Sequence, residues 1–148
     1  MALLEVEKLE TQFTTDQGIV RAVRDVSFTV DNGEALGIVG ESGSGKSQTM
    51  YSIIGLLSDN GKVTEGKVIF DGQDISPSLF KSKKEYEAAL EKLRGNSMAM
   101  IFQDPMTFLN PILKIGTQLI EPILNHTNCT KAEAREKALE LMENRDPV

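Results

Sequence analysis

The 148-residue sequence has no tryptophan, one cysteine and one histidine. The lone Cys129 cannot close an intrachain disulfide, which fits a reducing cytosol. With His126 as the single histidine there is no zinc constellation, and His126 reads as a surface or loop residue. No apolar run approaches the roughly eighteen residues of a spanning helix, so none is expected. The N-terminus, Met1-Ala2-Leu3-Leu4-Glu5, lacks a basic segment ahead of an apolar one, so no leader peptide is expected. The sequons at Asn125 and Asn128 are then read as chance matches. Positive charge is also scarce: 16 basic against 22 acidic residues give a net charge of −6. Residues 1–75 hold 6 basic and 12 acidic side chains, and residues 76–148 hold 10 of each. Neither half is basic, so no nucleic-acid partner is expected, and any phosphate must be bound by a local device.

What is present suffices for one folded domain. Hydrophobic residues make up 40% and charged residues 26%, which excludes a disordered chain. Leu4 and Val6 alternate with Glu5 and Glu7, and Val26, Phe28 and Val30 alternate with Ser27 and Thr29. With turn signals at Asp16-Gln17-Gly18 and Asp31-Asn32-Gly33, this pattern predicts an antiparallel sheet with one buried face. Ala35-Leu36-Gly37-Ile38-Val39 lacks polar alternation and predicts a strand buried on both faces. A glycine-rich loop follows, then a helix from about Lys46 to Leu57. Residues 66–75 predict a strand ending in an Asp-Gly turn. Ser82-Lys83-Lys84-Glu85 is a capping box whose helix carries Tyr86, Leu90 and Leu93 on one face and stops at Gly95. Ser97 to Phe102 is a second short apolar run, and Asp104 to Pro111 reads as a loop. Thr130-Lys131-Ala132-Glu133 is another capping box; its helix should turn Ala134, Ala138, Leu141 and Met142 inward.

Chemistry concentrates in Gly40-Glu41-Ser42-Gly43-Ser44-Gly45-Lys46-Ser47, a phosphate-loop pattern. Glycines let consecutive backbone N–H groups turn inward and nest around phosphate oxygens. The helix that follows adds its positive N-terminal end. Lys46 supplies a full charge for the β- and γ-phosphates, and the Ser47 hydroxyl suits a hydrated Mg²⁺ ion. At average residue usage the pattern arises by chance in roughly one chain of this length in two hundred. A flexible Gly/Ser linker is the bland alternative; the apolar run before the loop and the helical pattern after it disfavour it. The acids Glu34 and Glu41 nearby imply that affinity depends on the nest and on Mg²⁺.

Together with Met100-Ile101-Phe102-Gln103-Asp104-Pro105-Met106-Thr107 and Leu109-Asn110-Pro111, this loop resembles the ATP-binding subunit of ABC transporters. The resembling subfamily imports peptides and nickel, and the resemblance runs from about Leu3 to about Met142. It implies an α/β, P-loop NTPase fold: an antiparallel β subdomain, part of a parallel core and the start of a helical subdomain. The sheet and phosphate-loop core would occupy about 1–103, and the Q-loop and helical start about 103–148. Implied ligands are ATP and Mg²⁺, held by Gly40 through Ser47. Gln103 matches the Q-loop glutamine, which reaches the metal and the attacking water; on its own it would read as a solvated loop residue. Phe13 stands where the family places an aromatic that stacks on adenine, and a strand aromatic packed in the sheet is the competing reading. Implied partners are membrane-spanning permease subunits, met by the loop Met106 to Pro111, and a second ATP-binding subunit. Phe108 departs from the small residue expected in that loop. The implied location is cytoplasmic, peripheral on the inner face of the cell membrane. Lys81 to Lys84 reads as a solvated cap region, with a lipid-phosphate contact as the alternative.

The family also uses a signature motif and a Walker B strand ending in Asp and a catalytic Glu. Residues 104–148 contain neither; Leu139-Glu140-Leu141-Met142-Glu143 is a charged helix. The expectation is therefore nucleotide binding without hydrolysis, from the N-terminal part of such an ATPase. In the family, the strand before the phosphate loop lies between strands from later sequence, so here it should lack partners. Two other classes stay open: a non-hydrolytic nucleotide-binding or interaction module, and a small-molecule P-loop kinase. The kinase predicts clustered lid arginines, whereas Arg94, Arg135 and Arg145 are dispersed.

Overall fold

The chain opens with two long strands, β1 (Ala2–Thr15) and β2 (Gly18–Asp31), joined by the Asp16-Gln17 turn. The computed structural model describes residues 2–102 and 109–143. These fall into two units, the first reaching to Lys92 and the second beginning at Leu93.

In the first unit β1 is central. It pairs antiparallel with β2 on one side and β3 (Gly61–Phe70) on the other, and β4 (Gln73–Asp74) completes the order β2-β1-β3-β4. The expected Asp71-Gly72 turn joins β3 to β4. Simple alternation fails at one place. Val6 and Leu9 are both buried although three residues apart, and Thr11 follows. The pairing explains it: Val6 faces Phe28 and Leu9 faces Val26, so β1 carries one extra residue between them. Lys8, at φ 47°, lies in this bulge. The extra residue resets the phase and returns Leu9 and Thr11 to the inner face. On β3 the bulge meets Gly66, at φ +98°; a Cβ there would lie 2.6 Å from the Glu7 and Lys8 carbonyl oxygens. Only glycine admits both the conformation and the approach. β2 answers with its own extra residues, at Asp25 (φ 48°) and at Ala22.

Helix α1 (Lys46–Ile54) buries Thr49, Ser52 and Ile53 along one face, and it ends at Gly55, earlier than the expected Leu57. It is joined to β1 by a buried hydroxyl pair, Thr11 Oγ1 to Ser52 Oγ at 2.7 Å. Ser52 spends its only proton on the Gln48 carbonyl at 2.6 Å, so Thr11 is the donor in the pair. After a 3-10 turn at Pro77–Leu79 comes α2 (Lys83–Glu91). Ser82 caps it by accepting from the Glu85 amide, Leu90 is fully buried, and Tyr86 lies against Phe80 with ring centroids 5.4 Å apart.

One expected strand is absent, and the second apolar run forms none among the described residues. Residues 35–39 form no strand and are exposed, Val39 to 93%. Among the described residues no strand pairs with this run, so its backbone groups face water. The run Ser97 to Phe102 likewise forms only one bridge, Arg94 to Met98, and Ile101 is 95% exposed.

The second unit centres on α3 (Ile115–His126) and α4 (Lys131–Glu143). Ile120, Ala134 and Ala138 form its core, with Ile123, Leu124 and Cys129 packed against them. Helix α3 was not anticipated, although Ile115, Leu119, Ile120, Ile123 and Leu124 have helical spacing; Pro122 within it breaks the propensity signal. The expectation for α4 needs correction at its end, because Leu141 and Met142 are 70% and 54% exposed. No described residue covers the last turn. At its start the capping box forms in full. Glu133 Oε2 accepts from the Thr130 amide at 2.7 Å, and the Glu133 amide donates to Thr130 Oγ1 at 3.4 Å. Ahead of α3, Gln118 grips the backbone of Asn110. Its Oε1 accepts from the Asn110 amide at 2.8 Å, while Nε2 donates to the Asn110 and Leu113 carbonyls at 3.0 and 3.1 Å.

These two polar devices can be tested separately. The Thr130 amide and hydroxyl, then Lys137, hold the Glu133 carboxyl below its ordinary value. A depressed carboxyl stabilises the fold above the ordinary glutamate range, and that contribution disappears as pH falls through the folded value. Glu133→Gln keeps an acceptor but cannot titrate. The wild type should therefore have a higher unfolding midpoint than Glu133→Gln at pH 7, and the gap should close below about pH 4; a gap unchanged at pH 3 contradicts this. Gln118→Ala should speed hydrogen exchange of the Asn110 amide by roughly fivefold, since it loses a bond worth about 1 kcal/mol.

Candidate functional site

The glycine-rich loop lies between the exposed run 35–39 and α1. Its exit is fixed by contact with β2. Gly45 has φ +91°, and a Cβ on it would lie 2.4 Å from the Ala22 carbonyl oxygen. Ala22 is the residue at which β2 bulges, so the irregular strand and the loop meet at one point. Helix α1 starts directly after, with no side-chain cap and no acid in its first turn. The amides of Lys46, Ser47 and Gln48 therefore have no helical acceptor and present a positive end.

Lys46 closes the loop on itself. Its Nζ donates to the carbonyls of Gly40 and Glu41, both at 2.7 Å, and to Ser44 Oγ at 3.3 Å. The Ser44 amide donates to the Glu41 carbonyl at 3.2 Å, which makes residues 41–44 a turn. Gly40 passes beneath that turn, where a Cβ would stand 2.7 Å from Ser44 Oγ. Ser42 and Gly43 form the exposed crown of the turn. The ammonium thus occupies a ring of oxygens, a position from which it can move to anionic oxygen. Of the nearby acids, Glu34 is engaged elsewhere, since its Oε2 accepts from the Asp31 amide at 2.7 Å. Glu41 contributes its carbonyl, and its side chain is exposed.

Ser47, the second residue of α1, is exposed beside the helix start. Among the described residues no group of three or more His, Cys, Asp or Glu side chains is arranged to hold a metal. A hard, hydrated cation held by one hydroxyl and by phosphate oxygens fits this surrounding; a cation caged by carboxylates does not.

Phe13 is half-buried on β1, between Val20 of β2 and Gly61 of β3. Its ring lies over Gly61, where a Cβ would come within 2.5 Å of Cε1. One face of the ring is therefore committed to the sheet. Gln103, with Met106 through Phe108, lies outside the described residues. Of the loop Met106 to Pro111, Leu109, Asn110 and Pro111 are described and exposed, with Asn110 held by Gln118. His126 is exposed at the end of α3, near Gly95. The sequence reading missed the Ala22 contact, the Thr11–Ser52 pair and the Gln118 grip, each of which joins residues without a recognisable spacing.

The family model described as "ABC transporter" matches residues 23–147. The oligopeptide transport ATP-binding protein OppD of Escherichia coli is 46% identical over 142 residues, covering 96% of this chain and 40% of that protein. The dipeptide transport ATP-binding protein DppD of Lactococcus lactis is 45% identical, covering 95% of this chain and 39% of that protein. Among solved structures, the dimeric bacterial ABC transporter cassette MJ0796 superposes with TM-score 0.75 at 25% identity, over 95% of this chain and 56% of the cassette. The chain thus spans about 40% of the length of these curated relatives.

The Ala22 contact yields a contrast. Gly43 also has positive φ, +78°, but nothing stands within 4 Å of a Cβ there. Gly43→Ala should cost only the backbone strain, about 1–2 kcal/mol. Gly45→Ala adds a collision with a carbonyl that cannot turn away, and should cost clearly more. Urea unfolding of the two variants compares them, and equal losses would discount the Ala22 contact.

Proposed function

This chain belongs to the ABC transporter family, and on that premise we propose that it is the nucleotide-binding part of an ATP-binding subunit that energises peptide import. The observation that carries the reading is the closed loop: Lys46 bound to the Gly40 and Glu41 carbonyls at the uncapped start of α1. An incoming triphosphate replaces those carbonyls with stronger, anionic acceptors. The Lys46 ammonium turns to the β- and γ-phosphate oxygens, and the amides from Ser42 to Ser47 close around the chain. The Ser47 hydroxyl would hold a Mg²⁺ ion, which when bound would neutralise phosphate charge. Phe13 offers its remaining ring face to adenine, which reads the base by stacking alone.

On this reading Gln103, outside the described residues, would reach the metal and the attacking water. The antiparallel sheet and phosphate-loop core take about 1–103, and the helical subdomain begins in 103–148. Permease subunits meet the loop Met106 to Pro111. A second ATP-binding subunit supplies the signature motif. The chain then works at the cytoplasmic face of the membrane. Among the described residues no helix is long and apolar enough to cross one. Peptide rather than nickel cargo is favoured by the relatives OppD and DppD, which are named for oligopeptide and dipeptide transport.

ATP titration of the 148-residue chain in Mg²⁺ tests the core of this. Binding should be saturable, and Lys46→Ala should weaken it by about a hundredfold, since a charge-assisted contact is worth up to about 3 kcal/mol. Equal affinity in the two proteins would remove the phosphate loop from the argument. Phosphate release should stay at background, and turnover dependent on Lys46 would overturn the division between binding and hydrolysis.

A further inference from the structure

The charge distribution around the loop poses a problem that the loop alone does not solve. Residues 1–45 carry eight acids against three cations, Lys8, Arg21 and Arg24. A polyphosphate entering this region meets an opposing field. Two of the three cations stand on one stretch of β2, on either side of Ala22-Val23, and Ala22 is where β2 touches Gly45. A hollow of about 420 Å³ opens there, lined by Arg21, Arg24, Gly43, Ser44 and Thr49, with Val20 also in its wall. Arg24 is turned back along its strand, because its Nε donates to the Arg21 carbonyl in a long hydrogen bond of 3.4 Å. That bond uses one of the five guanidinium donors. The two terminal nitrogens have no partner among the described residues.

Resting on the nucleotide-binding reading above, we infer that Arg24 is a specificity-determining residue for the phosphate chain: its terminal nitrogens take α- and β-phosphate oxygens from the β2 side of the loop. The assignment to the inner phosphates follows from position. The hollow meets the loop at Gly43 and Ser44, and the backbone of a phosphate loop cradles the α- and β-phosphates while its lysine reaches the β- and γ-phosphates. The planar fork matters as well as the charge, since guanidinium engages phosphate in two parallel bonds and ammonium acts as a point charge. Arg24 therefore separates nucleoside di- and triphosphates from shorter anions and leaves the choice between ADP and ATP to Lys46 and the metal.

Calorimetric titration of the 148-residue chain with ATP, ADP and AMP in Mg²⁺, at fixed ionic strength, tests this. Arg24→Gln should weaken ATP and ADP alike, by roughly tenfold each, so that their ratio is unchanged. Arg24→Lys should recover only part of the loss. Arg24 is exposed, so the nucleotide-free variants should unfold at the wild-type midpoint. Unchanged affinities for Arg24→Gln overturn the inference, and so does a loss confined to ATP. If Arg24→Gln unfolds early, Arg24→Lys decides: full wild-type affinity overturns the fork, and a partial loss shared by ATP and ADP supports it. Lys46→Ala separates the two levels. A wild type that binds no nucleotide overturns the nucleotide reading and this inference together. Binding that needs Lys46 but ignores Arg24 overturns this inference alone.

Discussion

The approach of Gly45 to the Ala22 carbonyl is the constraint on which the rest of the first unit depends. A phosphate nest needs its amides aimed at one point, and a loop of small residues holds no shape by itself. Here the shape is imposed from one side. β2 bulges at Ala22, its carbonyl meets Gly45, and α1 begins at the next residue. The Thr11–Ser52 bond then ties the last turn of α1 to β1. The sheet thus serves as a bracket for the helix start, and a side chain at residue 45 would push the loop off it.

The electrostatics complement that bracket. The chain is acidic as a whole, and its first half carries all the excess. On the proposed reading, binding of an anion relies on groups that act at contact distance: uncapped amides, one ammonium stored on loop carbonyls, and arginines on the adjoining strand. Such contacts weaken less with salt than a diffuse basic surface does. Storing Lys46 on Gly40 and Glu41 also keeps the loop closed between ligands, so less conformational freedom is lost on binding.

Much of this was legible in the sequence, and the gaps have physical causes. The alternation around Val6 and Val26 revealed the strands, but not that four register shifts would interrupt it. A bulge is set by the fit of two strands, and its marks, Lys8 and Asp25 at positive φ, have no compositional signature. The pattern from Gly40 to Ser47 stood out because it sets particular residue types at fixed spacing. The apolar run 35–39 was read from its composition as a buried strand, and composition reports only what a segment prefers once it has neighbours. Gln118 was silent because a glutamine that bonds backbone leaves the same trace as one that bonds water.

The bulge at Lys8 bears on how such a chain tolerates change over time. It works as a phase switch: on its near side Val6 faces inward, and beyond it Leu9 and Thr11 do. Replacing one residue on this strand alters one side chain. Removing or adding one alters the facing of every residue beyond it, through Phe13 to the hairpin turn. Drift in this stretch should thus proceed by substitution and almost never by changes in length, and the spacing from Val6 to Thr11 should outlast the identities of the residues between.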